Sequence, residues 1–310
     1  MVLRLFLVCT SIFLSVYCSA QLGCPSVDAG ADQSVDCNNP CTTLTADPFE
    51  TGSTSNHNVG SIPYSLPYPI NQGTSLFIGV DDTWSNALPM PFEFCVYGNN
   101  YSSIVVGSNG ILTFDLGEAG GYCPWNFTNA APSPNLPTNA IFAPYMDIDP
   151  SECGSVRYTT LGTAPCRTFV INYSGVCLFS CSGSVNSQIV LYETTNVIEV
   201  YIGNKPACGS WNGGRTLLGI QNAAGTVASV PPGRNTGNWS TSNEAWRFTP
   251  AGPPIFTVNW YEAGNLIGQG LSVDVCPSEA TTYTAEVIYD GCGGVISVED
   301  DVTVSPDGTI

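Results

Sequence analysis

Residues 81–115 read DDTWSNALPMPFEFCVYGNNYSSIVVGSNGILTFD. Apolar and polar side chains alternate along this stretch, which predicts half-buried strands, and the alternation breaks at Gly and Asn, which predict turns. Turns are predicted at residues 98–100 and 107–110, so the three strands that they separate form an antiparallel unit. The side chains predicted to share a face within each successive strand are Phe92, Phe94 and Val96, then Ile104 and Val106, then Ile111 and Thr113.

The rest of the chain also has the pattern of an all-β protein. No segment shows a convincing helical period, and turn residues recur every several positions, as they do in sandwiches and barrels. A hairpin is predicted from residues 188–193 and 197–202, joined by residues 194–196. Beyond the Pro-rich residues 251–254, several alternating strands follow, with Trp260 as a buried strand residue. We therefore predict an antiparallel two-layer β-sandwich followed by a small C-terminal β-sandwich.

Several short motifs follow one another between residues 92 and 250. They are FEFCVYGNNY at 92–101, VGSNGILTF at 106–114, APYMDID at 143–149, GSVRY at 154–158, QIVLYETTNVIE at 188–199, GIQN at 219–222 and AWRFTP at 245–250. In this order they resemble nidogen-type extracellular domains, in particular those of large secreted surface proteins of Bacteroidetes. The resemblance implies a gliding-motility-associated adhesin exported by the type IX route. Such proteins carry a type B sorting domain at the far C-terminus, which we expect beyond Ile310.

The N-terminus has the pattern of a secretory signal peptide, because Arg4 precedes an apolar run and small residues precede Gln21. The apolar run is too short to anchor the chain permanently in a bilayer. The predicted parts are a signal peptide (1–20), a cysteine-rich lead-in strand segment (21–48), the nidogen-like β-sandwich (49–250), a Pro-rich linker (251–254), an Ig-like or PKD-like domain (255–305) and the start of a further linker (306–310).

The cysteine content predicts a disulfide-stabilised exported protein. Fourteen cysteines occur, and the signal peptide removes Cys9 and Cys18, which leaves twelve. Cys276 and Cys292 lie in the same C-terminal module and are predicted to pair. If all twelve are paired, one bridge ties the lead-in segment to the large domain. The pairing stays open for Cys24, Cys37, Cys41, Cys95, Cys123, Cys153, Cys166, Cys177, Cys181 and Cys208.

The charge of the chain excludes two classes of partner. The formal net charge is -18, and loss of Arg4 with the signal peptide changes it to -19. An acidic surface of this kind repels nucleic-acid phosphates and anionic lipid, so neither is expected as a partner. The excess of carboxylates favours calcium instead.

The residues give little support to catalysis, which is a less favoured alternative. The only histidine, His57, lies among Ser and Asn residues and is predicted to be a solvated loop residue, which argues against a His-based triad. Glycoside hydrolysis requires two carboxylates at a suitable separation. The candidates for such a pair are Asp147, Asp149 and Glu152 on one segment, and Glu193 and Glu199 on the predicted hairpin.

Two kinds of binding site are predicted from residue type and spacing. Asp147 and Asp149 place two carboxylates on one side of an extended segment, which suits Ca²⁺. Trp125, Trp211 and Trp239 lie in loops rich in Asn, Gly, Ser and Thr, and an aromatic ring flanked by amide side chains suits a sugar. The alternative for each tryptophan is a ring packed beneath its own loop.

Together these features predict an exported, non-enzymatic adhesion or recognition module, secreted and associated with the cell surface. Its expected partners are an extracellular glycan or protein surface, an outer-membrane attachment partner, or other copies of itself. One alternative function is the subunit or stalk of an extracellular filament, and a second is a secreted polysaccharide-degrading enzyme. No transmembrane span is expected in the mature chain.

Overall fold

A computed structural model describes residues 23–77 and 79–306. The predicted signal peptide, the predicted mature N-terminus at Gln21 and residues 307–310 lie outside the described residues. Within these ranges, no helix has the length and apolar character that crossing a membrane would require.

The described residues form twenty-three strands and two short 3₁₀ turns, Leu116–Glu118 and Asn212–Gly214. The strands are β1 (Val27–Asp28), β2 (Gln33–Val35), β3 (Thr42–Thr45), β4 (Asp47–Pro48), β5 (His57–Ile62), β6 (Thr74–Leu76), β7 (Leu88–Val96), β8 (Asn99–Gly107), β9 (Ile111–Thr113), β10 (Ala140–Tyr145), β11 (Ile148–Asp149), β12 (Ser155–Leu161), β13 (Thr168–Leu178), β14 (Ser184–Tyr192), β15 (Ile198–Lys205), β16 (Leu217–Gln221), β17 (Ala228–Ser229), β18 (Thr241–Pro250), β19 (Phe256–Glu262), β20 (Asn265–Gln269), β21 (Ser272–Val275), β22 (Thr281–Gly291) and β23 (Gly294–Pro306).

Two antiparallel sheets form a large sandwich, which confirms the predicted fold class. The six-stranded sheet has the order β17-β16-β10-β9-β8-β7. The eight-stranded sheet has the order β5-β18-β15-β14-β13-β12-β6, with β11 paired to β13. One hydrophobic core lies between the sheets and contains Phe94, Val106, Ile171 and Val200. These side chains alternate with outward-facing ones because successive residues of a strand point to opposite faces.

The local strand predictions are confirmed. Phe92, Phe94 and Val96 on β7 all enter this core, as do Ile104 and Val106 on β8. The predicted hairpin also forms: β14 pairs antiparallel with β15, and Ile189 lies opposite Val200. The sequence pattern therefore identified the inner faces of neighbouring strands.

The outer face of the eight-stranded sheet is covered by residues 63–73, which we call the sash. The sash leaves β5 at one edge of the sheet and enters β6 at the opposite edge. It has no regular secondary structure of its own. Tyr64, Leu66 and Tyr68 of the sash pack on Val190, Tyr201 and neighbouring side chains of the sheet, forming a second apolar layer.

A small sandwich combines the C-terminal strands with the lead-in segment. Its five-stranded sheet has the order β2-β23-β22-β19-β20, and the pairs β21–β3 and β1–β4 lie beside it. Leu44 of the lead-in packs in one core with Trp260 and Tyr289, all of them buried. Trp260 is thus a buried strand residue, as expected, and two separate parts of the sequence build one hydrophobic core. The Ig-like or PKD-like assignment of residues 255–305 stays a prediction.

Five disulfides cross-link the described residues. The bonds are Cys24–Cys166, Cys41–Cys276, Cys95–Cys292, Cys153–Cys177 and Cys181–Cys208, and the free thiols are Cys37 and Cys123.

The prediction that Cys276 pairs with Cys292 is wrong. Cys276 instead pairs with Cys41 of the lead-in segment, because β21 pairs with β3 and thereby brings the two cysteines together. Cys292 pairs with Cys95 on β7, so it connects the small sandwich to the large one. The predicted bridge from the lead-in segment to the large domain does occur, as Cys24–Cys166.

The prediction of a solvated loop position for His57 is also wrong. His57 opens β5, pairs with Pro250 of β18 and is buried. Its ring meets that of Tyr97 edge-on, with 4.9 Å between the ring centroids. Ser229 of β17 donates its hydroxyl to the carbonyl oxygen of His57, so this residue lies at the junction of the two sheets. Edge packing against the second sheet, which the local Ser and Asn residues do not reveal, buries the imidazole.

Candidate functional site

Two loops of the large sandwich bring predicted ligand-binding tryptophans together. Trp125 lies between β9 and β10, and Trp211 lies between β15 and β16. Their ring centroids are 5.5 Å apart, and the ring of Phe179 is 5.1 Å from that of Trp211. All three side chains are half-buried. We call Trp125, Phe179 and Trp211 the aromatic cluster.

The loop that carries Trp211 is fixed by covalent and polar contacts. The disulfide Cys181–Cys208 joins it to the loop after β13. The Asn212 side-chain amide donates to the carbonyl oxygen of Trp125 at 3.1 Å, which links the two tryptophan loops directly. Arg215 in turn donates to the Asn212 side-chain oxygen at 3.0 Å. These contacts hold the aromatic cluster in place before any ligand binds, which reduces the ordering cost of binding.

The indole of Trp211 is oriented by a buried carboxylate. Trp211 Nε1 donates to Asp147 Oδ2 at 2.6 Å. Burial raises the pKa of Asp147 to about 7, and the nearby carboxylates of Asp82, Asp81 and Asp149 act in the same direction. Burial also raises the pKa of Asp81 to about 6. The aromatic cluster therefore borders a group of crowded carboxylates.

The two predicted calcium ligands are engaged with protein groups. Asp147 accepts from the indole of Trp211, and Asp149 Oδ1 accepts from the backbone and hydroxyl of Ser151 and from the backbone of Glu152. Across residues 23–77 and 79–306, no three or more His, Cys, Asp or Glu side chains are grouped so as to hold a metal ion. Calcium binding at Asp147 and Asp149 thus stays a prediction.

A polar groove adjoins the aromatic cluster. Its volume is about 590 Å³. The groove is lined by Glu152, Leu178, Ser180, Cys181, Ser182, Ala207, Cys208, Gly209 and Ser210. Phe179 and Trp211 directly adjoin the lining residues Ser180 and Ser210 in the chain, so the groove lies next to two of the three residues of the aromatic cluster. Hydroxyl and backbone groups beside aromatic rings suit a ligand with both polar edges and an apolar face.

Trp239 has a different environment from the other two predicted tryptophans. Lys205 Nζ lies 4.5 Å and the Arg234 guanidinium carbon 4.7 Å from its ring centroid. Trp239 Nε1 donates to the carbonyl oxygen of Thr216 at 3.2 Å, and Lys205 Nζ donates to the carbonyl oxygen of Trp239. Burial, and secondarily Arg234, lowers the pKa of Lys205 to about 8. These cation–π and hydrogen-bond contacts anchor the Trp239 loop to the sheet.

The two hairpin carboxylates that are candidates for hydrolysis each form an ion pair. Glu193 pairs with Arg167, and Glu199 pairs with Arg247 at 2.7 Å. Glu199 also accepts from the hydroxyls of Tyr192 and Tyr201 at 2.6 Å each, and it is fully buried. Both carboxylates are thus held by neighbouring donors.

Sequence reasoning missed Phe179 as part of the site. Phe179 lies in the segment CLFSC at 177–181, where an apolar residue between cysteines reads as a core residue. The sequence feature that could have identified Phe179 is its position in a loop between two cysteines, because loops on a rigid β-scaffold commonly carry binding residues.

Comparison with known proteins identifies the type of domain. The sequence model described as NIDO related matches residues 64–262. Neither the curated proteins nor the solved structures contain a match to the chain. The nidogen-like domain and the five disulfides characterise a disulfide-stabilised extracellular module. Because the match covers more than half of the sequence, the chain belongs to the NIDO-related family of nidogen-like domains.

Proposed function

We propose that this chain is a secreted, non-enzymatic recognition module of the cell surface that binds an extracellular glycan through the aromatic cluster. The observation that carries the proposal is the contact between the rings of Trp125 and Trp211 beside a polar groove. Aromatic faces pack on the apolar faces of sugar rings, while neighbouring hydroxyl and backbone groups bond to sugar hydroxyls. In this function the protein acts by binding and orienting a polymer, without breaking it.

The wider setting of the proposal comes from the resemblance to adhesins. We infer that the chain is part of a larger gliding-motility-associated protein exported by the type IX route and displayed at the cell surface. The signal-peptide pattern and the order of the nidogen-like motifs support this assignment. The disulfides are consistent with an exported protein, because such bonds persist in oxidising compartments.

Binding and hydrolysis are separated by one assay. Oxidised residues 21–310 are incubated with a panel of insoluble polysaccharides, with and without calcium, while protein retention and reducing-end release are recorded together. We expect retention without release. Trp125→Ala is expected to weaken retention about tenfold, as loss of one ring contact worth about 1.4 kcal/mol would.

The matched control is Tyr261→Ala, which removes a half-buried aromatic residue from β19 of the small sandwich. It is expected to retain wild-type binding. Equal weakening by both substitutions would argue against the aromatic cluster as the site. Release of reducing ends by the wild-type protein would refute the non-enzymatic proposal and direct attention to the carboxylates.

A structural filament or stalk subunit is the second candidate function. It is favoured by β20, an edge strand with the exposed apolar residues Leu266 and Ile267, followed by exposed Leu271. Exposed edge strands are sites where chains pair. A register shift between β19 and β20 interrupts this edge, however, and such irregularities oppose pairing between edges. Sedimentation of purified protein over a range of concentrations tests this candidate, since a filament subunit would form large assemblies without added polysaccharide.

A further inference from the structure

The aromatic cluster lies at the end of the large sandwich that points away from the small one. β13 and β15 run in the same direction, because each pairs antiparallel with β14. Before β15, Asn196 accepts from the backbone N–H of Cys95, whose disulfide partner Cys292 belongs to the small sandwich. The eight residues of β15 then extend over about 26 Å, and Phe179 and Trp211 follow the far ends of β13 and β15. A polymer can therefore reach the cluster without meeting the small sandwich.

The rings of the aromatic cluster are tilted against one another and are not stacked flat. The ring planes of Trp125 and Trp211 are inclined by 37°, and those of Phe179 and Trp211 by 55°. The face of an aromatic ring carries partial negative charge, so it attracts a cation as well as the apolar side of a sugar. Because all three residues are half-buried, each keeps surface open to a ligand. The cluster therefore suits a ligand that combines apolar faces with positive charge.

Trp211 offers its faces to a ligand and not its polar edge. Its Nε1 donates to Asp147 Oδ2 at 2.6 Å, so the one hydrogen-bond donor of the ring is already in use. What remains for recognition is the negative ring face, which contacts C–H groups and cations. A ligand without positive charge would gain only the first of these contacts.

Carboxylates lie beside this ring. The side chain of Asn109 connects the two segments that carry them, because its Nδ2 donates to Asp82 Oδ1 at 3.0 Å and its Oδ1 accepts at 3.1 Å from the backbone N–H between Asp147 and Asp149. Asp81 is next to Asp82 in the chain and adds a further carboxylate. The three ion pairs of the described residues use other carboxylates, so no arginine or lysine there neutralises this group.

The polar groove carries the same sign of charge. Glu152 is the one charged side chain among the residues that line the groove, and it is exposed. It takes part in none of the ion pairs found across residues 23–77 and 79–306. Ser180 and Ser182, which are also exposed, supply hydroxyl groups along the groove. The groove thus offers hydrogen bonds to sugar hydroxyls and an exposed carboxylate to a cation.

The basic residues toward this end of the large sandwich are engaged with other protein groups. They are Arg157, Lys205, Arg215 and Arg234. Arg215 Nη1, for example, donates to the backbone oxygen of Asn212 at 3.1 Å and to its side-chain oxygen at 3.0 Å. The charge offered to a ligand around the aromatic cluster is therefore mainly negative, which repels an anionic glycan and attracts a cationic one.

We propose that the glycan bound at the aromatic cluster carries free amino groups, as a polymer of glucosamine does. This inference rests on the proposed function, because it specifies the ligand of the same site. The apolar side of a sugar packs on a ring, while an ammonium group lies against a ring face or a carboxylate. Acetylation of the amino groups removes their charge but keeps the backbone of the polymer, so it is expected to weaken binding.

Three soluble hexasaccharides with the same β-1,4 backbone separate the effect of charge from that of shape. They are the hexamers of glucosamine, N-acetylglucosamine and glucose, each titrated into oxidised residues 21–310 at pH 6.5 in an isothermal titration calorimeter. We expect the glucosamine hexamer to bind about tenfold more tightly than the other two, as two partly screened ion pairs would provide. Its affinity alone should fall as the salt concentration rises.

Glu152→Gln removes one charge from the groove. It should weaken binding of the glucosamine hexamer about threefold and leave the affinities for the other two hexamers unchanged. The matched control is Glu262→Gln, which removes the same charge from an exposed position on β19 of the small sandwich and should leave all three affinities unchanged. Equal weakening by the two substitutions would mean that the ligand follows the general charge of the protein, and it would overturn the proposal.

Three further outcomes would overturn the inference. Equal or tighter binding of the N-acetylglucosamine or glucose hexamer would do so while leaving the aromatic cluster a glycan site. Equally tight binding of a lysine hexamer would show that the site recognises positive charge alone and not an amino sugar. Absence of binding to all three hexasaccharides would also overturn it, and the retention assay on insoluble polysaccharides then decides separately whether the proposed function fails too.

Discussion

Acidification should destabilise the protein through His57, the only histidine in the chain. Burial lowers the pKa of His57 from its ordinary value of 6.5 to about 4. Both ring nitrogens are buried, and neither has a hydrogen-bond partner among the described residues. Protonation in the fold would therefore create a buried cation without a compensating contact, which is unfavourable.

The sign and size of the effect follow from the two pKa values. The unfolded chain takes up a proton as the pH falls through 6.5, whereas the folded chain does so only near pH 4. Stability is thus complete above pH 6.5 and is lost progressively as the pH falls toward 4. The loss is about 2 kcal/mol at pH 5 and about 3 kcal/mol at pH 4, since one pKa unit corresponds to about 1.36 kcal/mol.

The assay compares urea unfolding of wild type and His57→Phe, with disulfides intact, from pH 7.5 to pH 4. Phe keeps a ring beside Tyr97 but cannot take up a proton. The carboxylates titrate in both proteins, so their contribution cancels when the unfolding free energy of one protein is subtracted from that of the other. We expect this difference to shift by about 3 kcal/mol in favour of His57→Phe over the full range. Parallel pH profiles for the two proteins would refute the reasoning, and Asn58→Ala serves as a neighbouring control with the wild-type profile.

Three further predictions rest on other features. A thiol reagent should modify exposed Cys37 in the native protein but Cys123 only after unfolding, because Cys123 is buried and burial raises its pKa to about 12; mass spectrometry of residues 21–310 before and after denaturation checks this. Gly110→Ala should lower the free energy of unfolding by about 1–3 kcal/mol, because φ at this position is +73° and the added Cβ would lie 2.1 Å from a backbone oxygen. Denaturant unfolding of the two proteins measures this difference. Residues 255–306 alone should show the circular dichroism of an unfolded chain, because the lead-in segment supplies β1–β4 of the small sandwich. A single chain that links residues 23–48 to residues 255–306 should regain the circular dichroism of β-strands.

Local patterns predicted the inner face of the large sandwich well. Alternation along β7 and β8 identified the side chains of the inner face because successive residues of a strand point to opposite faces whatever its distant partners are. The same reasoning could not pair the cysteines. Cys95 and Cys292 are 197 residues apart in sequence, and only the packing of the small sandwich against β7 brings them together. Strand pairing between the lead-in and β21 is equally non-local and has no periodic signal.

The candidate site was predicted in its residue types but not in its geometry. Trp125 and Trp211 were singled out from the composition of their loops, and the structure brings their rings together. Nothing local could show that Trp211 would bond to Asp147, because that contact depends on how two loops meet. Trp239 was grouped with them by loop composition alone, whereas Lys205 lies against its ring because of the course of β15. Side-chain partners across a sandwich are set by topology.

The disulfide Cys41–Cys276 determines how the molecule would carry mechanical load. A pulling force applied between Cys24 and Pro306 follows the shortest covalent path, which runs from Cys24 to Cys41, across the disulfide to Cys276, and along the last strands. This bond bypasses a sequence separation of 235 residues, which includes every strand of the large sandwich. The large sandwich is joined to this path at Cys24 and Cys292 by the bonds Cys24–Cys166 and Cys95–Cys292, so it bears load in parallel with the short path and not in series with it. The short path thus takes up load that would otherwise have to pass through every strand of the large sandwich in turn.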